Sequence, residues 1–286
     1  VHQARVATRR LREAVPVLTS GVKGTRAGKA SRKIKRLTRA LGTVRELDVT
    51  IQILDELARR PDIPRSAVEE VRAHVMAERD GRRKVMLERL DEVDPDRLAR
   101  RLRSVAAALA SAEGEPWREA LAARLVKRAR RFTAAVHEAG RVYAPEPLHL
   151  VRISTKKLRY ALELAADVGV ATALPMVRLL KRNQEILGRL NDLNVLKRHV
   201  AEVQATAPAR RPDMTASLDV VGRALEAECR HLHARFLALS PALLESSDIC
   251  RRTIAPLLAQ PPRRRQPALK MSLTAPPVRR PRATHA

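Results

Sequence analysis

The segment His2-Gln-Ala-Arg5-Val-Ala-Thr-Arg9-Arg10-Leu-Arg12 returns in the second half of the chain as His149-Leu-Val-Arg152-Ile-Ser-Thr-Lys156-Lys157-Leu-Arg159. On a helix at about 100° per residue, His2, Arg5, Arg9 and Arg12 fall within an arc of about 80°, and so do His149, Arg152, Lys156 and Arg159. An Arg guanidinium forks onto phosphate oxygens and a Lys ammonium acts as a point charge. A His in the same row donates a hydrogen bond when neutral and adds charge when protonated, which a nearby phosphate favours. The chemistry open to such a row is the holding of anionic oxygen. Like charges repel, so a duplicated cationic stripe is better explained by an anionic partner than by folding. The plain alternative, a solvated basic helix face, weakens once the same spacing occurs twice.

A second layer follows each stripe. Lys29, Arg32, Lys33 and Arg36 share a helical face of about 100°, with Lys35 and Arg39 at its edge. The matching positions are Arg178, Lys181, Arg182 and Arg189, but Arg39 aligns with Glu185, so the first half is expected to carry more of the charge here. A third pair is Leu41-Gly42-Thr-Val-Arg45-Glu46-Leu-Asp48 and Leu187-Gly188-Arg-Leu-Asn191-Asp192-Leu-Asn194. Gly42 and Gly188 permit a close helix approach or a break. Glu46, Asp48 and Asp192 are expected to hold basic side chains in place by ion pairing. Metal-dependent hydrolysis is a weaker alternative, because a carboxylate site in a bundle wants Glu-x-x-His on two helices plus further Glu. Only Glu228-x-x-His231 fits. Glu146-Pro-Leu-His149 has the letters, but Pro147 is expected to leave Glu146 outside the helix. No catalytic residue, metal ligand or cofactor is assigned. Further runs, Arg79 with Arg82-Arg83-Lys84 and Lys127-Arg128 with Arg130-Arg131, read as solvated faces that would at most widen a binding surface. Walker, dinucleotide-binding, His-Glu-x-x-His, zinc-cysteine and Gly-x-Ser-x-Gly patterns are absent.

Composition narrows the partner. Lys plus Arg is 57 against 31 Asp plus Glu, a formal charge of +26 over 286 residues. That excess predicts salt-sensitive polyanion binding: nucleic acid, an anionic membrane surface or a polyphosphate. The aromatic set is Trp117, Phe132, Tyr143, Tyr160 and Phe236. Single strands are held largely by stacking bases on rings, at about 1–3 kcal/mol each. A chain with cations and almost no rings suits a ligand made of phosphate alone. Cys229 and Cys250 are expected to be reduced thiols, since two cysteines make no disulfide framework. No apolar run reaches the ~18–20 residues of a membrane span, and no secretory signal opens the chain, so a soluble cytoplasmic protein is expected. Val1 stands one residue before a motif, the pattern expected of a fragment of something longer.

The elements that must carry these stripes are helices. Apolar residues recur at three and four, Ala and Leu dominate, and the expected class is all-α. Helices are expected at about 2–19, 27–41, 44–60, 64–91, 94–112, 116–141, 147–168, 173–190, 191–206 and 212–239. Breaks are set by Pro61 with Pro64, Asp94-Pro95, Gly114 with Pro116, Pro145 with Pro147, Pro208 with Pro212, and Pro241. The repeat implies two halves of about 145 residues, as two bundles related by a pseudo-twofold axis. The boundaries are 1–144 for the first half, 145–254 for the second and 255–286 for a tail. That tail, rich in Pro and Arg and lacking acids, is expected to be disordered.

Taken together, His-x-x-Arg-Val-x-x-Arg-Arg-Leu-Arg at His2–Arg12, Arg-Glu-Leu-Asp-Val at Arg45–Val49, His-x-x-Arg-Ile-x-x-Lys-Lys-Leu-Arg-Tyr-x-Leu-Glu at His149–Glu163 and Leu-Gly-x-Leu-Asn-Asp at Leu187–Asp192 resemble a CHAD domain, the conserved histidine α-helical domain. The resemblance spans about residues 1–240. It implies two antiparallel four-helix bundles with pseudo-twofold symmetry and a basic surface or pore between them. It further implies binding of inorganic polyphosphate and association with polyphosphate granules. Carried over by position, the ligand-facing residues are His2, Arg5, Arg9, Arg12, Arg32, Lys35, Arg36 and Arg39, with His149, Arg152, Lys156, Arg159, Arg178, Lys181 and Arg182. The family is often joined to an upstream CYTH triphosphatase domain, whose Glu-x-Glu-x-Lys motif does not occur in this chain. Glu46 departs from the family's Arg-Asp-Leu-Asp pattern, and Glu185 stands where the first copy has Arg39. The expectation is therefore a non-enzymatic polyphosphate-binding module. A nucleic-acid-binding, nucleoid-associated protein and a phosphohydrolase stand as the alternatives.

Overall fold

The computed structural model describes residues 2–22, 27–40, 42–111, 115–206 and 212–260, with the side chains of His2, Gln3, Arg5 and Thr43 outside that description. The described residues are helical, as the apolar periodicity predicts. The order is α1 (His2–Leu18), α2 (Ala27–Ala40), α3 (Thr43–Leu57), α4 (Arg65–Asp91), α5 (Pro95–Ala110), α6 (Trp117–Ala139), α7 (Pro145–Asp167), α8 (Leu174–Thr206), α9 (Pro212–Ile249), a π-helical stretch Cys250–Ile254 and α10 (Ala255–Ala259). A 3-10 turn, Ala171–Ala173, links α7 to α8.

Local chemistry sets several of these boundaries. Asp94 caps α5, its carboxylate accepting from the Arg97 amide at 2.8 Å, and Pro95 follows in the first turn. Gly21 ends the α1 turn at φ +80, and a Cβ there would lie 2.9 Å from the Pro116 side chain. Only glycine both adopts that backbone and lets the α1–α2 connection rest on the start of α6.

Four expectations change. The break expected at residue 190 is absent: α8 runs unbroken through Gly188, whose surroundings are open. One glycine costs a helix about 1 kcal/mol. Burial of Ile186, Leu187, Leu190, Leu193 and Leu196 on one face outweighs it. At Gly42 the first copy does break, between α2 and α3. Pro241 does not end α9, which continues to Ile249. The lost amide and the ring clash are offset by docking of the C-terminal arm on α6. There the buried Ser247 hydroxyl donates to the Ala129 carbonyl at 3.0 Å and Leu243, Cys250 and Ile254 are fully covered. Ala255–Ala259, expected in the tail, form α10 with Ala255 and Leu258 buried, so order extends past residue 254. The rest of the tail, 261–286, lies outside the described residues. Finally, α7 begins at Pro145, which places Glu146 in its first turn. Both prolines fit there because first-turn amides have no intrahelical acceptor to lose.

The buried apolar residues form one large cluster and one small one. The large cluster runs from Val17, Leu47 and Leu54 through Val71 and Val75 to Leu125, Phe132, Leu158, Leu180, Leu196, Leu225 and Phe236, without dividing at residue 144. The small one joins α1, α2 and α5 through Val15, Ala27, Ile34 and Val105. Cys229 and Cys250 are both free and buried, and burial pushes the Cys250 thiol up to about 12.

Candidate functional site

Helix α1 lies against α6 and α7, which brings Arg9 of the first stripe near Arg152 of the second. Glu13 anchors that contact. Its carboxylate pairs with Arg128 of α6, and Arg124 reaches the Glu13 carbonyl at 3.0 Å. From this seam Arg9 of α1 and Arg152 of α7 feel each other's charge, and Asp192 of α8 and Glu46 of α3 lie in the same field. Burial is the first cause that lowers the Arg152 pKa, and Arg9 adds to it, while Asp192 and Glu46 oppose. The guanidinium stays protonated at neutral pH all the same. Its Nε–H is buried and has no hydrogen-bond partner among the described residues. Burial likewise raises the Asp192 carboxyl, against the downward pull of Arg152, an Asn191 hydrogen bond and Lys156. Asp192 and Glu46 act on Arg152 through their charge, with no ion pair to it among the described residues, and Glu46 comes instead within 3.9 Å of Arg198. Asp48 instead pairs with Arg79 of α4 at 2.7 Å.

His149 is exposed, and its Nδ1 sits 2.9 Å from Asn191 Oδ1. It opens onto a groove of about 740 Å³ that Glu46, Glu146, Asn191, Lys197 and Arg198 also line. Arg198 projects over it, 3.9 Å from Glu46. Neither Lys197 nor Arg198 was picked out by the repeat, since they follow its last matched position.

The remaining sequence candidates divide. His2 and Arg5 fall among the side chains outside the description. Arg12 is partly exposed on α1. Arg159 is spoken for: its Nε donates to Gln184 at 2.9 Å, it pairs with Glu163, and it lies 4.4 Å over the Tyr160 ring. With 11% of its side chain exposed, it braces α7 against α8. Arg32, Lys35, Arg36 and Arg39 are exposed on α2, and Arg178, Lys181 and Arg182 on α8. No ion pair among the described residues holds any of these seven, and none ties them to the Arg9–Arg152 seam. Arg182 lines a separate depression with Glu185, Arg189, Glu228, His231 and Arg235. There Arg189 bridges Glu56 at 2.7 Å and Glu228 at 2.8 Å, so Glu228 serves an ion pair between α3, α8 and α9.

Sequence reading passed over one further basic surface as a solvated face. Lys127, Arg128 and Arg131 of α6 join Lys157 of α7 around a groove of about 500 Å³. It shares Leu150 with the His149 groove, so the two grooves adjoin on α7. The doubled Lys156-Lys157 was the available signal, because adjacent residues on a helix point about 100° apart. No helix among the described residues is long and apolar enough to cross a membrane.

The family model described as CHAD domain matches residues 1–201. Among solved structures, the chain is similar to the crystal structure of the CHAD domain from the plant Ricinus communis, with a TM-score of 0.49 and 24% identity over 88% of this chain and 81% of that one. No curated protein matches.

Proposed function

Since the chain belongs to the CHAD domain family, we propose that it binds inorganic polyphosphate without chemically altering it, through the seam of α1 and α7 and the surface that continues from it. The carrying observation is Arg152: a half-buried, charged guanidinium beside Arg9 whose buried Nε–H lacks a protein acceptor among the described residues. A buried donor left unsatisfied costs about 1–3 kcal/mol. A phosphate oxygen in the seam would satisfy it and relieve the repulsion between the two arginines. The duplication then supplies linked subsites. A flexible chain engaging one half meets the other at high effective concentration. The exposed rows on α2 and α8 extend the track, and association with polyphosphate granules follows from multivalent binding.

The paucity of aromatic side chains favours phosphate over nucleic acid, and competition between duplex DNA and long-chain polyphosphate at equal phosphate concentration separates the two. The decisive variant replaces Arg5, Arg9, Arg152 and Lys156 together with Gln. It should lose polyphosphate binding while its circular dichroism stays helical; wild-type affinity in that variant sinks the assignment. Phosphate release from polyphosphate in the presence of divalent metal would replace binding with hydrolysis as the activity.

A further inference from the structure

A second constellation sits away from this seam, where α4 crosses α8. His74 and Glu78 stand one turn apart on α4, and His199 and Glu202 stand three residues apart on α8, so each pair shares a helix face. The facing atoms of all four lie within 4.8 Å of one another. His74 Nε2 is 3.2 Å from Glu202 Oε2. His199 Nδ1 is 3.1 Å from the same oxygen and 3.6 Å from Glu78 Oε2. In a tetrahedral zinc site with metal–ligand bonds of about 2.0–2.2 Å, neighbouring ligand atoms stand about 3.3–3.6 Å apart. The three measured separations scatter around that edge.

The surroundings suit a cation. The His199 ring is buried, with 8% of its side chain exposed, and its Nδ1 turns toward two carboxylates. Arg82 pairs with Glu78 Oε1, which leaves Oε2 to face His199. A carboxylate oriented by an outer cation is the arrangement that tunes metal ligands. Two neutral imidazoles and two carboxylates give an N2O2 set of charge −2, which balances a doubly charged ion, and this donor mixture selects zinc or a neighbouring divalent transition metal over magnesium or calcium.

We infer that His74, Glu78, His199 and Glu202 bind a divalent transition cation, zinc above all, that clamps α4 of the first half to α8 of the second. Four protein ligands close the coordination sphere, so the site is structural. A ligand bound only by the folded chain raises stability by mass action. The clamp therefore acts independently of any polyphosphate held at the seam.

The test uses the full chain, stripped with chelator and freed of polyphosphate, which would itself sequester metal. Calorimetric titration with Zn2+ should show one tight equivalent and a raised melting temperature. His74→Ala and Glu202→Gln should each weaken that equivalent by at least about tenfold, as even outer-sphere changes do. His231→Ala should leave it unchanged. Co2+ bound to the wild type should give the intense visible absorption of tetrahedral coordination, and His74→Ala should abolish it. The absence of a tight Zn2+ equivalent, or its persistence in both His74→Ala and Glu202→Gln, overturns the site.

Discussion

Asp192 decides how available Arg152 is. Its carboxylate sits in the field of Arg152 and Lys156 and competes with any incoming anion for both. Burial nonetheless raises its pKa, so the folded chain disfavours the ionised form relative to the unfolded one. A group raised in this way adds stability as pH falls and withdraws it as pH climbs past its unfolded value of 3.8. The neutral isostere should therefore cost little at pH 7. Asp192→Asn is expected to tighten polyphosphate binding about fivefold at low salt, the equivalent of about 1 kcal/mol from one removed repulsive charge, without lowering the melting temperature. Fluorescence-based titration and a thermal melt check both halves of that statement. Arg159 teaches the complement. It lies on the predicted stripe, yet Gln184, Glu163 and Tyr160 already occupy its guanidinium.

Among the elements, α9 shows how tertiary burial overrides a local stop signal and how it stores pH sensitivity. His233, buried on α9, stacks on Phe236 with ring centroids 6.3 Å apart and lies near Tyr143. Its Nε2 has no hydrogen-bond partner among the described residues, and burial lowers its pKa. The unfolded chain then takes up the proton first on acidification. The stabilising effect of keeping His233 neutral is complete above the unfolded pKa of 6.5 and is lost as pH falls below it toward the depressed folded value. His233→Phe should flatten the decline of unfolding free energy between about pH 7 and pH 5, as read from urea midpoints. An unchanged pH profile would mean that other groups set that decline.

The whole molecule is strongly cationic, +26, and much of that charge stands on exposed helix faces. Binding to a polyanion should release counterions, so log affinity should fall linearly with log salt. Each seam cation neutralised should reduce the magnitude of that slope by about one. Titrations of wild type, Arg152→Gln and Arg9→Gln/Arg152→Gln at four salt concentrations would show the stepwise change. Equal slopes in all three would place the contacts elsewhere, on the α2 or α8 faces. The main core holds residues of both halves, from Val17 and Leu47 to Leu225 and Phe236.

Helix class, most helix boundaries and the repeated stripes were legible in the amino-acid order, because apolar period and charge spacing act locally along a helix. Which stripe residues remain exposed was not, since that depends on what neighbouring helices bring. Gln184 and Glu163 engage Arg159, Glu13 holds Arg128, and Asp192 stands against Arg152. The two glycines of the repeat each follow a Leu at matching positions, yet one ends a helix and the other lies within α8, whose buried face continues past it. The His74–Glu78 and His199–Glu202 pairs do not fit the Glu-x-x-His pattern, because they run in the opposite order, from His to Glu. Their convergence joins residues from α4 and α8, far apart in the chain. Local periodicity thus determined the elements and their charge, while the packing of distant helices determined which charges are paired and which stay open to a ligand.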